Sequence, residues 1–152
     1  MKNSKMPSLF FGHGSPMNAI TQNAFSKFLN TKGQNLPAPR AILSISAHWE
    51  TGGTQVLKVA EHYELAQDLK PLRDQGVLLM GSGNITHNLR AVNWSPDAKP
   101  FDWATEFDEM IKNAILNDDK TTLFNEDPKS HSLWKQALPT LEHYIPLMYI
   151  LG

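Results

Sequence analysis

The chain has 152 residues, within the roughly 100–200 of a single domain. Fourteen Lys and Arg stand against fifteen Asp and Glu, a net charge of −1, so there is no basic field to draw in nucleic acid or an anionic membrane. The absence of cysteine excludes disulfides, thiolate catalysis, iron–sulfur clusters and Cys-containing zinc motifs, leaving six histidines and the carboxylates as the groups for chemistry.

In chain order, the first apolar run is Ser8 to Phe11, stopped by Gly12-His13-Gly14-Ser15-Pro16. It reads as a buried strand ended by turn chemistry. Asn18 to Asn30, with Phe25, Phe28 and Leu29, reads as a helix. Ala41 to Ala47 reads as a second strand, ended by His48, and Gln55 to Val59 as a weaker one. Residues 61–75 carry Leu65, Leu69 and Leu72 at spacings of 4 and 3, one face of a helix. A further strand spans Val77 to Met80, ended by Gly81-Ser82-Gly83-Asn84. A helix over 102–117 follows, with Phe107, Met110, Ile111 and Ala114 on one face and Asp102 as its expected N-cap. Ser132 to Leu138 is a short helix, and Pro146 to Leu151 is expected to be the last strand. Strands alternating with amphipathic helices indicate one α/β domain over 1–152, its mostly parallel sheet flanked by helices.

The histidines fall at strand ends. His13, His48 and His87 each follow an expected strand, and His143 stands just before the last. In open α/β sheets ligands bind beyond the carboxyl ends of the strands, so side chains far apart in sequence converge there. Imidazole is the commonest metal ligand and suits zinc, iron or copper. His62, in a helix beside Tyr63, and His131, in a polar loop, lack this placement and read as ordinary side chains. Other motifs are weaker. Gly81-Ser82-Gly83 has part of a dinucleotide loop, but Thr86 holds the third glycine position, so nucleotide binding is a distant alternative. Ser15 and Ser82 lie outside any Gly-x-Ser-x-Gly elbow. His48-Trp49-Glu50 has the His-x-Glu of a zinc deaminase without its cysteines. No run approaches the roughly 18 apolar residues of a membrane span, and the start of the chain has only Leu9 to Phe11 where a secretory leader needs about 7–15, so a cytoplasmic location is expected.

Four segments resemble the 4,5-DOPA dioxygenase extradiol family, in the family's order and over nearly the whole chain. They are Pro7 to Met17 (PSLFFGHGSPM), Ile45 to Thr51 (ISAHWET), Gly81 to Arg90 (GSGNITHNLR) and Pro139 to Leu147 (PTLEHYIPL). The resemblance implies a class III extradiol ring-cleavage dioxygenase: an α/β sheet with flanking helices and metal-dependent opening of a catechol such as DOPA with O2, beside its hydroxyls. It carries the metal-site histidines onto His13, His48, His87 and His143. It implies one Zn2+ or Fe2+ per chain, with oxygenase chemistry calling for iron. Phe10, Phe11 and Trp49 are candidates for an aromatic wall, or for ordinary packing.

The chain also departs from the family. After Val59, family members continue through a long central region with further strands and an Asp-His-Gly segment, whose histidine is the family's best candidate for catalytic acid or base. Here Ala60-Glu61-His62-Tyr63 follows at once, and the family also continues beyond Gly152. A strand passing into a helix at 59/60 lacks the turn residues of a normal connection. A junction is therefore expected at 59/60. It leaves two readings, a dioxygenase and a catalytically inactive zinc-binding remnant of that family.

Overall fold

The computed structural model describes residues 5–48, 57–95, 97–125 and 131–152. Strands β1 (Ser8–Gly12) and β2 (Ala41–Ser46) both pair in parallel with β3 (Val77–Gly83), in the order β1-β3-β2. The last strand in sequence is thus the central one. Phe10 and Ile45 both lie opposite Gly81, and Gly12 lies opposite Gly83. Pairing continues past the strand ends: the His13 N–H donates to the Gly83 carbonyl at 2.9 Å, and the Ala47 N–H to that of Ser82 at 2.9 Å. The chains leaving β1 and β2 therefore emerge on either side of β3.

Helix α1 (Ala24–Gln34) begins later than the sequence pattern suggested, after a 3-10 turn at Pro16–Ala19. Its start is set by a reciprocal cap: the Ser26 N–H donates to Asn23 Oδ1 and the Asn23 N–H to Ser26 Oγ, both at 2.9 Å. Helix α2 (Val59–Asp74) takes in the end of the expected weak strand. Leu57 and Lys58 are irregular, Val59 is already helical, and Gln55 and Val56 lie outside the described residues. The Lys58 N–H donates to Glu61 Oε2 at 2.7 Å, and this carboxylate cap starts the helix here. At the far end Gly76 takes φ +84°, a turn that a side chain would resist, and feeds β3.

Helix α3 (Asp102–Leu116) is capped by Phe101, so Asp102 opens the helix as a first-turn acid instead of capping it. The short α4 (Lys120–Leu123) and α5 (Ser132–Ala137) follow. Pro146 to Leu151, expected as a strand, lies in helix α6 (Ile145–Leu151). A short, wholly apolar run does not distinguish a buried strand from a buried helix, and Pro at its start suits a first helical turn. Packing decides the matter. Pro146, Leu147 and Met148 are buried, and α6 lies between α2 and the face of β3 that carries Leu79, Gly81 and Gly83. A Cβ at Gly81 would meet Ile150 Cγ1 and the Pro146 carbonyl oxygen, each at 2.7 Å. The bare glycines are what let α6 lie so close.

The core joins α3 through Phe107, Ile111 and Ala114 to Trp134, Leu138 and Tyr144. Trp134 stands edge-on to Phe107 and to Tyr144, with centroids 5.0 and 5.4 Å away. The buried Tyr144 hydroxyl donates to the Leu123 carbonyl at 3.2 Å. Among the described residues no helix is long and apolar enough to cross a membrane.

Candidate metal centre

Four histidines meet at the carboxyl edge of the sheet. His13 comes directly after β1 and His48 two residues after β2. His143 arrives from the other end of the chain, on the turn before α6. Its carbonyl accepts the Asn84 N–H at 2.9 Å, and a Cβ on Gly83 would land on that carbonyl oxygen. The glycine at the end of β3 therefore makes room for the segment that bears His143. His87 hangs from the loop after β3, where its N–H donates to the Ala137 carbonyl at 2.8 Å.

The ligand atoms of His13, His48 and His143 all lie within 4.8 Å of one another. His13 Nε2 and His48 Nε2 are 3.4 Å apart, and the three ring centroids are 4.9–5.3 Å apart. His87 joins differently. Its ring stacks on His143 at 3.4 Å, nearly parallel, and with Glu142 and His143 it forms a second group of potential ligands that shares His143. The four residues form one cluster, made of two groups that share His143.

Two groups orient the imidazoles. Ser82 Oγ lies 3.0 Å from His13 Nδ1, leaving Nε2 toward His48. Glu142 Oε1 lies 3.3 Å from His143 Nδ1 and also accepts the Thr140 hydroxyl at 2.7 Å. A carboxylate or hydroxyl on the far nitrogen fixes an imidazole's tautomer and direction, as around bound metals. Burial opposes the charge on Glu142, but hydrogen bonds from Thr140 and His143 outweigh it and hold the carboxyl below its usual value. Burial, then the neighbouring imidazoles, lowers the pKa of His13. Burial and His143 lower that of His87, partly offset by Glu142. Neutral nitrogen donors with one carboxylate nearby fit a zinc or iron(II) ion.

His62 and His131 lie apart from the cluster. His62 Nδ1 is 2.9 Å from the Tyr149 hydroxyl, and His131 stands at the start of α5. Gly81 to Asn84 lead into a long loop, and the next described helix begins only at Asp102, so no helix N-terminus follows to cradle a phosphate. Phe10 packs against the core, and Trp49 and Glu50 lie outside the described residues. The sequence does not single out Glu142, and it offers Ser82 as a nucleophile or as part of a nucleotide loop, not as the partner of His13. The signal for Glu142 was its place next to His143.

No protein-family model matches the chain. A protein of Escherichia coli K12 named 4,5-DOPA dioxygenase extradiol is 28% identical over 236 residues, covering 100% of this chain and 86% of its own length. The chain is a homologue of the proteins that carry this name. A namesake from Beta vulgaris is 34% identical over 114 residues, 75% of this chain, and one from Portulaca grandiflora is 33% identical over 97 residues. The chain spans only 39% and 35% of these two plant relatives. A crystal structure of an uncharacterized Escherichia coli K12 protein superposes with a TM-score of 0.82 at 28% identity, over 97% of this chain and 88% of that one. The match to the bacterial dioxygenase runs over 236 residues where this chain has 152, a difference of 84.

Proposed function

We propose that His13, His48 and His143 hold one divalent metal and that the chain is an extradiol ring-opening dioxygenase acting on a catechol such as DOPA with O2. The observation that carries this reading is the approach of three imidazoles from three distant segments to within 4.8 Å. Crowding disfavours the protonated forms, and neutral imidazole nitrogens turned toward one point are the donors that a divalent cation binds. Iron(II) bound there would supply Lewis acidity toward a catechol hydroxyl and the redox chemistry that O2 requires, of which zinc supplies only the first.

The chain's own residues hold the geometry. Ser82 aims His13, and Glu142 aims His143. His87, stacked on His143 beside Glu142, is an imidazole placed to take up a proton at the cluster, or to serve as a further ligand through the second group. In open α/β sheets ligands bind beyond the carboxyl ends of the strands, which is where these histidines stand.

The 84-residue difference favours a second reading, a metal-binding remnant without turnover. We place the shortfall near 59/60, where the resemblance to the family skips its central region. Elemental analysis and oxygen uptake test both readings. One metal per chain with iron-dependent oxygen uptake on a catechol supports the dioxygenase. One metal without uptake supports the remnant, and no metal removes both.

A further inference from the structure

The second face of the sheet carries a feature that extends away from the metal centre. Side chains alternate along a strand, so Leu9, Phe11 and His13 share one face with Leu78, Met80 and Ser82, opposite the face under α6. Helix α1 lies over this face yet buries none of its own residues. Between them runs a cavity of about 720 Å³. Phe25, Leu29 and Gly33, spaced by four on α1, line its helix side. One end is formed by His13 and Ser82, the pair whose 3.0 Å hydrogen bond aims His13 at the metal centre.

We infer that this cavity receives an apolar substituent of an aromatic substrate whose hydroxyls sit at the histidine cluster, so that alkyl- or aryl-substituted catechols bind more tightly than catechol itself or a catechol amino acid. The inference rests on the metal-centre reading for the position of the hydroxyls. Its size and apolar walls are those of a small-molecule site. Among the described residues that line it, Lys32 and His13 are ionisable and none is a carboxylate. Lys32 answers the carboxylate of an amino acid, but no described lining residue answers its ammonium, whereas each buried methylene gains about fourfold in affinity.

The test uses protein loaded with zinc, a metal without redox chemistry, which would hold a catechol without consuming it. Calorimetry compares catechol, 4-hexylcatechol and L-DOPA. The expected result is at least tenfold tighter binding of 4-hexylcatechol than of catechol, with L-DOPA no tighter than catechol. Gly33 offers a clean block, because a Cβ there meets nothing within 4 Å. Gly33→Trp, with Gly33→Leu as the smaller filler, does not lower the thermal midpoint and removes the hexyl advantage while leaving catechol binding unchanged. An equal affinity for the two catechols, or an advantage that survives both fillers, overturns the inference. If the protein takes up no zinc, the metal-centre reading fails by itself, and the cavity is then judged with 4-hexylphenol on the metal-free chain. Saturable binding lost in Gly33→Trp upholds the apolar site, and no binding overturns it. A dimer in sedimentation that Gly33→Trp dissociates assigns the cavity to a second copy of the chain and also overturns it.

Discussion

Replacing Gly81 by alanine tests how α6 is seated. The backbone at Gly81 is ordinary strand, so the substitution by itself should stabilise by about 0.4–1 kcal/mol through a less flexible unfolded chain. Against this stands the contact: the new Cβ meets the Pro146 carbonyl oxygen and Ile150 Cγ1, each at 2.7 Å. Ile150 can turn, but the Pro146 carbonyl moves only if α6 moves. Overpacking of this kind costs about 1–3 kcal/mol. Two such contacts at once, one of them with backbone, put the cost in the upper part of that range, so the net loss is about 1–2.6 kcal/mol, and at about 2–4 °C per kcal/mol for a chain of this size the midpoint should fall by roughly 2–10 °C. Gly33→Ala is the internal control, since its Cβ meets nothing within 4 Å and helix propensity then raises stability by up to about 1 kcal/mol. Thermal melts of the two variants beside the parent measure both signs. A Gly81→Ala protein as stable as its parent would refute the close seating of α6 on β3.

His48→Ala should abolish stoichiometric zinc binding, and His131→Ala, at the start of α5, should leave it intact; elemental analysis reads both. Glu142→Gln keeps size and removes the charge that aims His143, so zinc affinity should fall about 10–100-fold in competition with a chelator. The protein should also lose stability in mild acid. Burial lowers the His62 pKa, partly offset by Glu61, so below its ordinary value of 6.5 the unfolded chain takes up a proton that the folded one resists. The urea midpoint should drop from pH 7.5 to pH 5.5, and by less in His62→Gln. An equal drop in both proteins would remove His62 from the explanation.

Which parts of the fold were legible follows from what local sequence encodes. β1, β2 and β3 are short apolar runs closed by Gly, Pro or His turns, and α3 has a wide apolar stripe; these signals are local and survive folding. The start of α2 was misread because a carboxylate three residues on, Glu61, caps the Lys58 N–H and draws Val59 into the helix. The start of α1 depended likewise on a reciprocal bond between Asn23 and Ser26. Such caps are visible in sequence only as candidate pairs. Glu142 was harder still, because its role arises from the direction of one His143 nitrogen, which sequence does not carry.

Taking α6 for a strand did not displace His143, and the reason is physical. The residue is held by what precedes the element. Its carbonyl accepts the Asn84 N–H at 2.9 Å, and Gly83 leaves the space into which that carbonyl fits. Asn84 is the first residue beyond the central strand, and β1 and β2 flank that strand in parallel. His13 and His48 must therefore emerge beside the same point at which His143 is tied. Parallel strand ends bring His13 and His48 together, and the Asn84 bond brings His143, so neither step depends on the fate of residues 145–151. His87 differs because a loop, tethered at the Ala137 carbonyl, sets its position. That tether explains why His87 stacks on His143 at 3.4 Å and does not join the group formed by His13, His48 and His143.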